Sequence, residues 1–189
     1  MSVSGKEWGD WLEGYLFDRR IAVVRGPLDD LCATRVATQL MTLDATGDEP
    51  VTLQIDSEGG PLTAGFTLID VIDSLGVPVN VLCMGRVEGV AVAVAAAASH
   101  RLALAHTQFR LSDPCLSFEA SASEAARIAE RELGLLARYH ECLSTRTGRS
   151  VEEVERWCAE RRFLDAAEAK AAGIVDEISH GKAPLRRVR

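Results

Sequence analysis

With 189 residues, 47% of them hydrophobic, the chain can bury one full core, and no long Ser/Pro/Gly linker marks a second domain. A net charge of −7 argues against a nucleic-acid groove, and the one basic cluster, Lys182 to Arg189, is short and terminal and reads as a solvated tail. The five cysteines (Cys32, Cys83, Cys115, Cys142 and Cys158) form no CxxC pair, so they read as reduced core thiols and imply neither disulfides nor a zinc site.

The N-terminal stretch MSVSGKEWGDWLEGYLFDRR has no apolar signal core, and the longest small-apolar run, Gly89 to Ala98, is too short to cross a bilayer. A soluble, cytoplasmic protein with neither membrane nor nucleic-acid partners and no cofactor is the expectation. Short β-branched runs then alternate with helical patterns, the signature of βαβ units. IAVV (21–24) is the first strand. Asp29 or Asp30 caps a helix with Leu31, Val36, Leu40 and Leu43 on one apolar face, and DATGDEP ends it. VTLQI (51–55) is the second strand, and the turn SEGGP leads into a helix from about Leu62 to Leu75. VNVLCM (79–84) is the third strand, followed by a Gly-containing turn and the wholly apolar run Val90 to Ala98, which reads as a buried core helix.

RLALA (101–105) and QFRL (108–111) are two further short strands. A long amphipathic helix follows from Ser123 to about Thr145, with Ile128, Leu133, Leu136, Tyr139 and Leu143 at near-helical spacing. Gly134 is a flaw inside it, costing about 1 kcal/mol. Ser150 with Glu153 forms a capping box for the next helix, Asp165 with Glu168 suggests another, and Gly173 is placed to stop that one before the strand IVDEI (174–178).

Chemistry concentrates at two turns. DSEGG (56–60) and GRVEGV (85–90) each follow a strand and precede a helix, and their glycines carry no Cβ to keep a ligand away from the backbone. The N–H groups of Gly60 and Val90 can therefore converge on one point, which describes an oxyanion hole.

Four segments carry a family resemblance over nearly the whole chain. They are DRRIAVVRGPLDD, IDSEGGPLTAGFTLIDVI, TGRSVEEVE and AAEAKAAGIVDEI. Together they resemble the proteolytic subunit of the Clp ATP-dependent protease, the caseinolytic serine peptidase family of the crotonase-like fold. The resemblance implies an α/β architecture of repeated ββα units with a projecting long handle helix. It also implies a single domain over 1–189, with a head at about 1–114 and 150–180, a handle at about 115–149 and a basic tail at 181–189.

The same resemblance implies a departure at the catalytic positions. The family's second turn ends in its nucleophilic serine, and that position falls on Gly89. The stretch RLSDP puts Ser112 where the family has its histidine. The family's aspartate falls on Arg161, with Glu160 one residue before it. Acyl transfer of this kind needs a hydroxyl to attack, an imidazole to take its proton and a carboxylate to orient the imidazole. None of the three is present, so the triad positions Gly89, Ser112 and Arg161 are degenerate, and Gly60 and Val90 remain as backbone remnants of the oxyanion hole.

The leading expectation is a non-catalytic Clp protease homologue, forming a homo-oligomer or a hetero-oligomer with active Clp proteolytic subunits, with a Clp ATPase unfoldase as a further partner. An alternative is a crotonase-like enzyme or binder of CoA thioesters that uses the two backbone turns; the short chain after Ile178 argues against it. A third is an active peptidase with a rearranged triad. CLSFEASASE (115–124) stands where the family has a glycine-rich strand that pairs across stacked rings, and only four residues precede Gly5, which implies abbreviated axial loops. Other polar groups have structural readings first. Glu88 reads as solvated or salt-bridged and Ser57 as a satisfied hydroxyl. His100 and His106 read as exposed, His140 as part of the handle and His180 as part of the tail.

Overall fold

The computed structural model describes residues 12–114 and 121–179. The expectations for Gly5, for 115–120 within CLSFEASASE, for His180 and for the basic tail lie outside the described residues. Residues 12–17 are helical (α1) and lead into β1 (Ile21–Pro27). The chain continues through α2 (Asp30–Ala45), β2 (Val51–Gly59), α3 (Leu62–Ser74), β3 (Val79–Glu88) and α4 (Val90–Ala96). It then passes through β4 (His100–Leu104), β5 (Gln108–Arg110), α5 (Ala122–Thr147), α6 (Val151–Ala159), β6 (Phe163–Leu164), α7 (Ala166–Ala171) and β7 (Glu177–Ser179).

The main sheet has the order β1-β2-β3-β4-β7, all parallel, and side chains along β2 alternate between buried and half-buried, the two-residue period of a pleated strand. β3 has two neighbours. Asn80 to Cys83 pair with β4, whereas Arg86 to Glu88 pair with β5. Gly85 sits between these halves at φ 60°, and Thr107 Oγ1 donates to Cys83 O (2.9 Å) across the gap. A bent strand thus takes the place of two separate ones in a ββα unit. That is why β2 and β3 run on through DSEG and GRVE, beyond the ends VTLQI and VNVLCM suggest: after a register shift these turn residues are still laddered.

Asp29 caps α2, its carboxylate accepting from Cys32 N at 2.8 Å. The buried face of α2 is Cys32, Ala33, Val36, Ala37, Leu40 and Leu43. Leu31, expected on that face, is 79% exposed, because five residues of helix rotate it about 140° away from Val36. α4 is buried at every position, which its Ala and Val side chains permit by taking little space between the sheet and the surrounding helices. α3 crosses it so closely that a Cβ on Gly65 would lie 2.0 Å from Val90 Cγ2.

The handle α5 packs against α3, α4 and α6. Tyr139 and Leu143 near its C-terminal end are fully buried and Leu136 is partly buried against the core. Leu133, expected on the apolar face, is 66% exposed, since Leu135 and Leu136 are the leucines of this turn that pack against the core. Ser150 Oγ accepts from Glu153 N (3.2 Å), the serine half of the expected box, while the Glu153 carboxylate lies 3.9 Å from the Arg149 guanidinium. The Asp165/Glu168 box is complete.

β6, which the sequence pattern did not suggest, is a two-residue antiparallel partner of β5. The last strand falls at Glu177–Ser179 and not at IVDEI: Ile174 and Val175 are buried in the core ahead of it. Between them and β7, Asp176 is held by Arg101, which donates to it from its main-chain N (2.8 Å), Nε (3.0 Å) and Nη2 (2.5 Å). Among the described residues, no helix is long and apolar enough to cross a membrane.

The Arg101 guanidinium holds the Asp176 carboxyl below its ordinary value of 3.8. A depressed folded-state value gives stability that is complete above the unfolded-state value and is lost as pH falls through the folded one. The urea-midpoint gap between the wild type and Asp176→Asn should therefore hold steady from pH 7 to about 5 and shrink below about pH 4. A gap that widens on acidification would contradict this assignment.

Candidate functional site

The site is built where the β2–α3 and β3–α4 turns touch. Gly59 (φ 81°) lies so near β3 that a Cβ there would sit 2.5 Å from Glu88 O, and a Cβ on Gly60 would sit 2.1 Å from Leu28 O. Ser57 locks the first turn from inside: its buried hydroxyl donates to Gly26 O (2.6 Å) and accepts from Gly59 N (3.0 Å). The hydroxyl is thus satisfied structurally.

Gly89 is the N-cap of α4, at φ 52° and ψ −130°. Its N–H donates to Arg110 O (2.9 Å), and its carbonyl accepts from Val92 N (3.0 Å) and from the Tyr139 hydroxyl (3.1 Å). Val90 N–H follows as the first of the helix, a position whose N–H has no acceptor within the helix. Gly60 and Val90 line one open cleft of about 530 Å³.

Three residues singled out by motif position meet in this cleft. A Cβ on Gly89 would lie 3.7 Å from Ser112 Oγ, and Ser112 and Arg161 both line the cleft. Arg161 has φ 51° and ends α6 as a left-handed residue, the place where Gly is usual. Its N–H bonds Cys158 O and the next N–H, of Arg162, bonds Trp157 O, both at 3.0 Å, which is the Schellman pattern.

Glu160 is the exposed C-cap of α6 and is not among the residues lining the cleft. Glu88 is ion-paired with Arg110 at 2.5 Å. His100 and His106 are exposed around β4.

The Clp protease family model matches residues 4–182. The chain belongs to the Clp protease family. Its mixed α/β sheet with flanking helices is the Clp protease fold, and members of that family form oligomeric rings.

One cluster beside the cleft escapes motif reading. His140, 5% exposed, donates from Nε2–H to Asp113 Oδ1 at 2.9 Å, and its Nδ1 lies 3.8 Å from Glu155 Oε1. Cys158 lies against the same pair. Burial pushes its thiol up to about 12, with the Asp113 charge adding to the effect. Burial likewise raises the Tyr139 phenol well above its ordinary range, so it stays a neutral donor to Gly89 O. Asp113 is adjacent to Ser112 in the chain, but His140 and Cys158 sit on different helices, so no local spacing announces the group.

The close approach of the turns makes a test of the site's architecture. Gly60→Ala should destabilise the protein by about 1–3 kcal/mol, because its Cβ meets backbone that has no rotamer to change. Gly134→Ala, with nothing within 4 Å of the added carbon, should stabilise it by about 0.5–1 kcal/mol. Urea denaturation of both variants checks the pair; equal effects would show that the turn contact is not the tight one.

Proposed function

We propose that this chain is a non-catalytic subunit of a Clp-type ATP-dependent protease ring, a single unit whose head (about 1–114 and 150–180) joins its neighbours and whose handle (about 115–149) reaches toward a facing ring. The observation that carries this reading is the identity of the groups meeting at the N-terminus of α4. The N-cap is Gly89, the group facing it is the Ser112 hydroxyl, and the third residue is Arg161. Gly89 has no side chain to attack with. Ser112 has no basic nitrogen to take a proton near neutral pH, and Arg161 repels the imidazolium that a triad carboxylate stabilises.

His140 does not make up for this. It is buried and its ring is engaged by Asp113. The Gly60 and Val90 amides remain beside the cleft as oxyanion donors with no nucleophile to serve.

The isolated protein should turn over no fluorogenic peptide and take no label from a serine-reactive phosphonate; label mapped to Ser57 or Ser112 would overturn the reading. Triad members act as a unit, so Gly89→Ser alone should stay at background, and a measurable rate should need Ser112→His and Arg161→Asp with it.

Lateral assembly through the head follows from the same reading, with a single ring or a ring mixed with active subunits favoured over a homomeric double ring. Native mass spectrometry at micromolar concentration should give a cyclic oligomer, alone or with an active Clp subunit. A strict monomer that no active subunit recruits would refute assembly. Co-purification addresses partners directly. Active Clp subunits or a Clp ATPase recovered in stoichiometric amount support the subunit role. A retained CoA thioester would instead favour an acyl-binding use of the cleft.

A further inference from the structure

We propose that Asp113, His140 and Cys158 form a binding site for one zinc-class transition-metal ion, with its fourth coordination position turned toward the cleft. This inference is independent of whether the chain is a ring subunit. A carboxylate oxygen, a ring nitrogen and Cys158 Sγ all lie within 4.8 Å of one another, presented by three separate pieces of the fold: the segment after β5, α5 and α6. Tetrahedral zinc, with bonds of about 2.0–2.3 Å, sets its ligand atoms about 3.3–3.6 Å apart. The 2.9 Å His140–Asp113 contact therefore opens by less than about 1 Å, and the sulfur closes in by at most about 1.5 Å.

The donor set decides the class of ion. A thiolate with an imidazole and one carboxylate suits zinc or a neighbouring first-row metal, and does not suit calcium or magnesium, which take oxygen ligands. His140 and Cys158 are 5% and 1% exposed, so the ion is shielded on two sides. On the third side Asp113 lines the cleft, and solvent there completes the coordination.

The outer groups also fit. With Nε2 turned to the ion, the ring proton resides on Nδ1 and faces the Glu155 carboxylate, now 3.8 Å away, the kind of outer partner that ligating histidines take. Binding exchanges the Cys158 S–H bond for a sulfur–metal bond and releases that proton to solvent, with no change in oxidation state.

A Cys158 nucleophile working through His140 is the rival use of the same three residues, and the structure disfavours it. The sulfur is 1% exposed, and without a metal the thiol stays protonated at neutral pH.

The test uses the full-length chain stripped with a chelator and dialysed against zinc or cobalt(II). One zinc per chain should be retained, and cobalt should give a thiolate-to-metal charge-transfer band with visible bands of tetrahedral intensity. Cys158→Ser should abolish the charge-transfer band, while Cys32→Ser and Cys142→Ser leave it unchanged. Glu155→Gln, at an exposed position that threatens no core packing, should weaken zinc affinity about 10-fold or more. The proposal is overturned if the folded wild type retains well under one zinc per chain, if its cobalt spectrum lacks the thiolate band, or if Cys158→Ser keeps full affinity.

Discussion

The absence of three Cβ atoms is the constraint from which the site follows. Gly59, Gly60 and Gly65 face Glu88 O, Leu28 O and Val90 Cγ2, each at a separation that a methyl group would close to 2.5 Å or less. Two of the three neighbours are main chain and cannot rotate away. The β2–α3 turn is thereby pressed onto both β1 and the β3–α4 turn, and the amides at the start of α4 come to lie beside Gly60. A cleft formed this way depends on backbone contacts and hardly at all on the side chains that line it. Its shape can persist while its chemistry changes.

The second requirement is that the handle's root be fixed to the head. Two arginines do this. Arg101, whose side chain is only 15% exposed, bonds Asp176 and also donates to the carbonyls of Arg146 and Gly173. Arg146 in turn donates to Ala97 O and to the Asp73 carboxylate. Carbonyls at the C-terminal ends of α4 and α5 are thus satisfied by cations, where the helix dipole favours them. Tyr139 adds a third tie, since its hydroxyl reaches Gly89 O from the same stretch of α5. The half of α5 nearer Ser121 has no comparable anchor among the described residues.

What could be read from the sequence was local. The caps at Asp29 and Asp165, the glycine stop at Gly173 and the starts of β1 to β4 each depend on a few adjacent residues, and each lies within a residue or two of its expected place. Leu31 and Leu133 lie outside the buried stripes because the helix turns each away from its core-facing neighbours, Leu31 by about 140° from Val36 and Leu133 in favour of Leu135 and Leu136. β6 forms as a strand by pairing with β5, an interaction made by residues more than fifty positions apart, and Phe163 is exposed, so no pattern marks it. Gly89, Ser112 and Arg161 were found through motif position and do share a cleft. Asp113, His140 and Cys158 were beyond reach for the opposite reason. Their grouping exists only once α5 and α6 are packed, and cysteine spacing alone points away from a metal.

The conformation of Gly89 bears on how little the β3–α4 turn depends on a side chain at this position. At φ 52° and ψ −130°, a region that side chains rarely adopt, an L-residue carries a strain of roughly 1–3 kcal/mol, which persists only where the surroundings enforce it. Every described bond that positions Gly89 uses its main chain: its N–H to Arg110 O, and its carbonyl to Val92 N and the Tyr139 hydroxyl. Glycine at this position keeps all of them and avoids the conformational cost that a side chain would bring. Stability then favours the glycine, while the glycine contacts at 59, 60 and 65 continue to hold the cleft open around it.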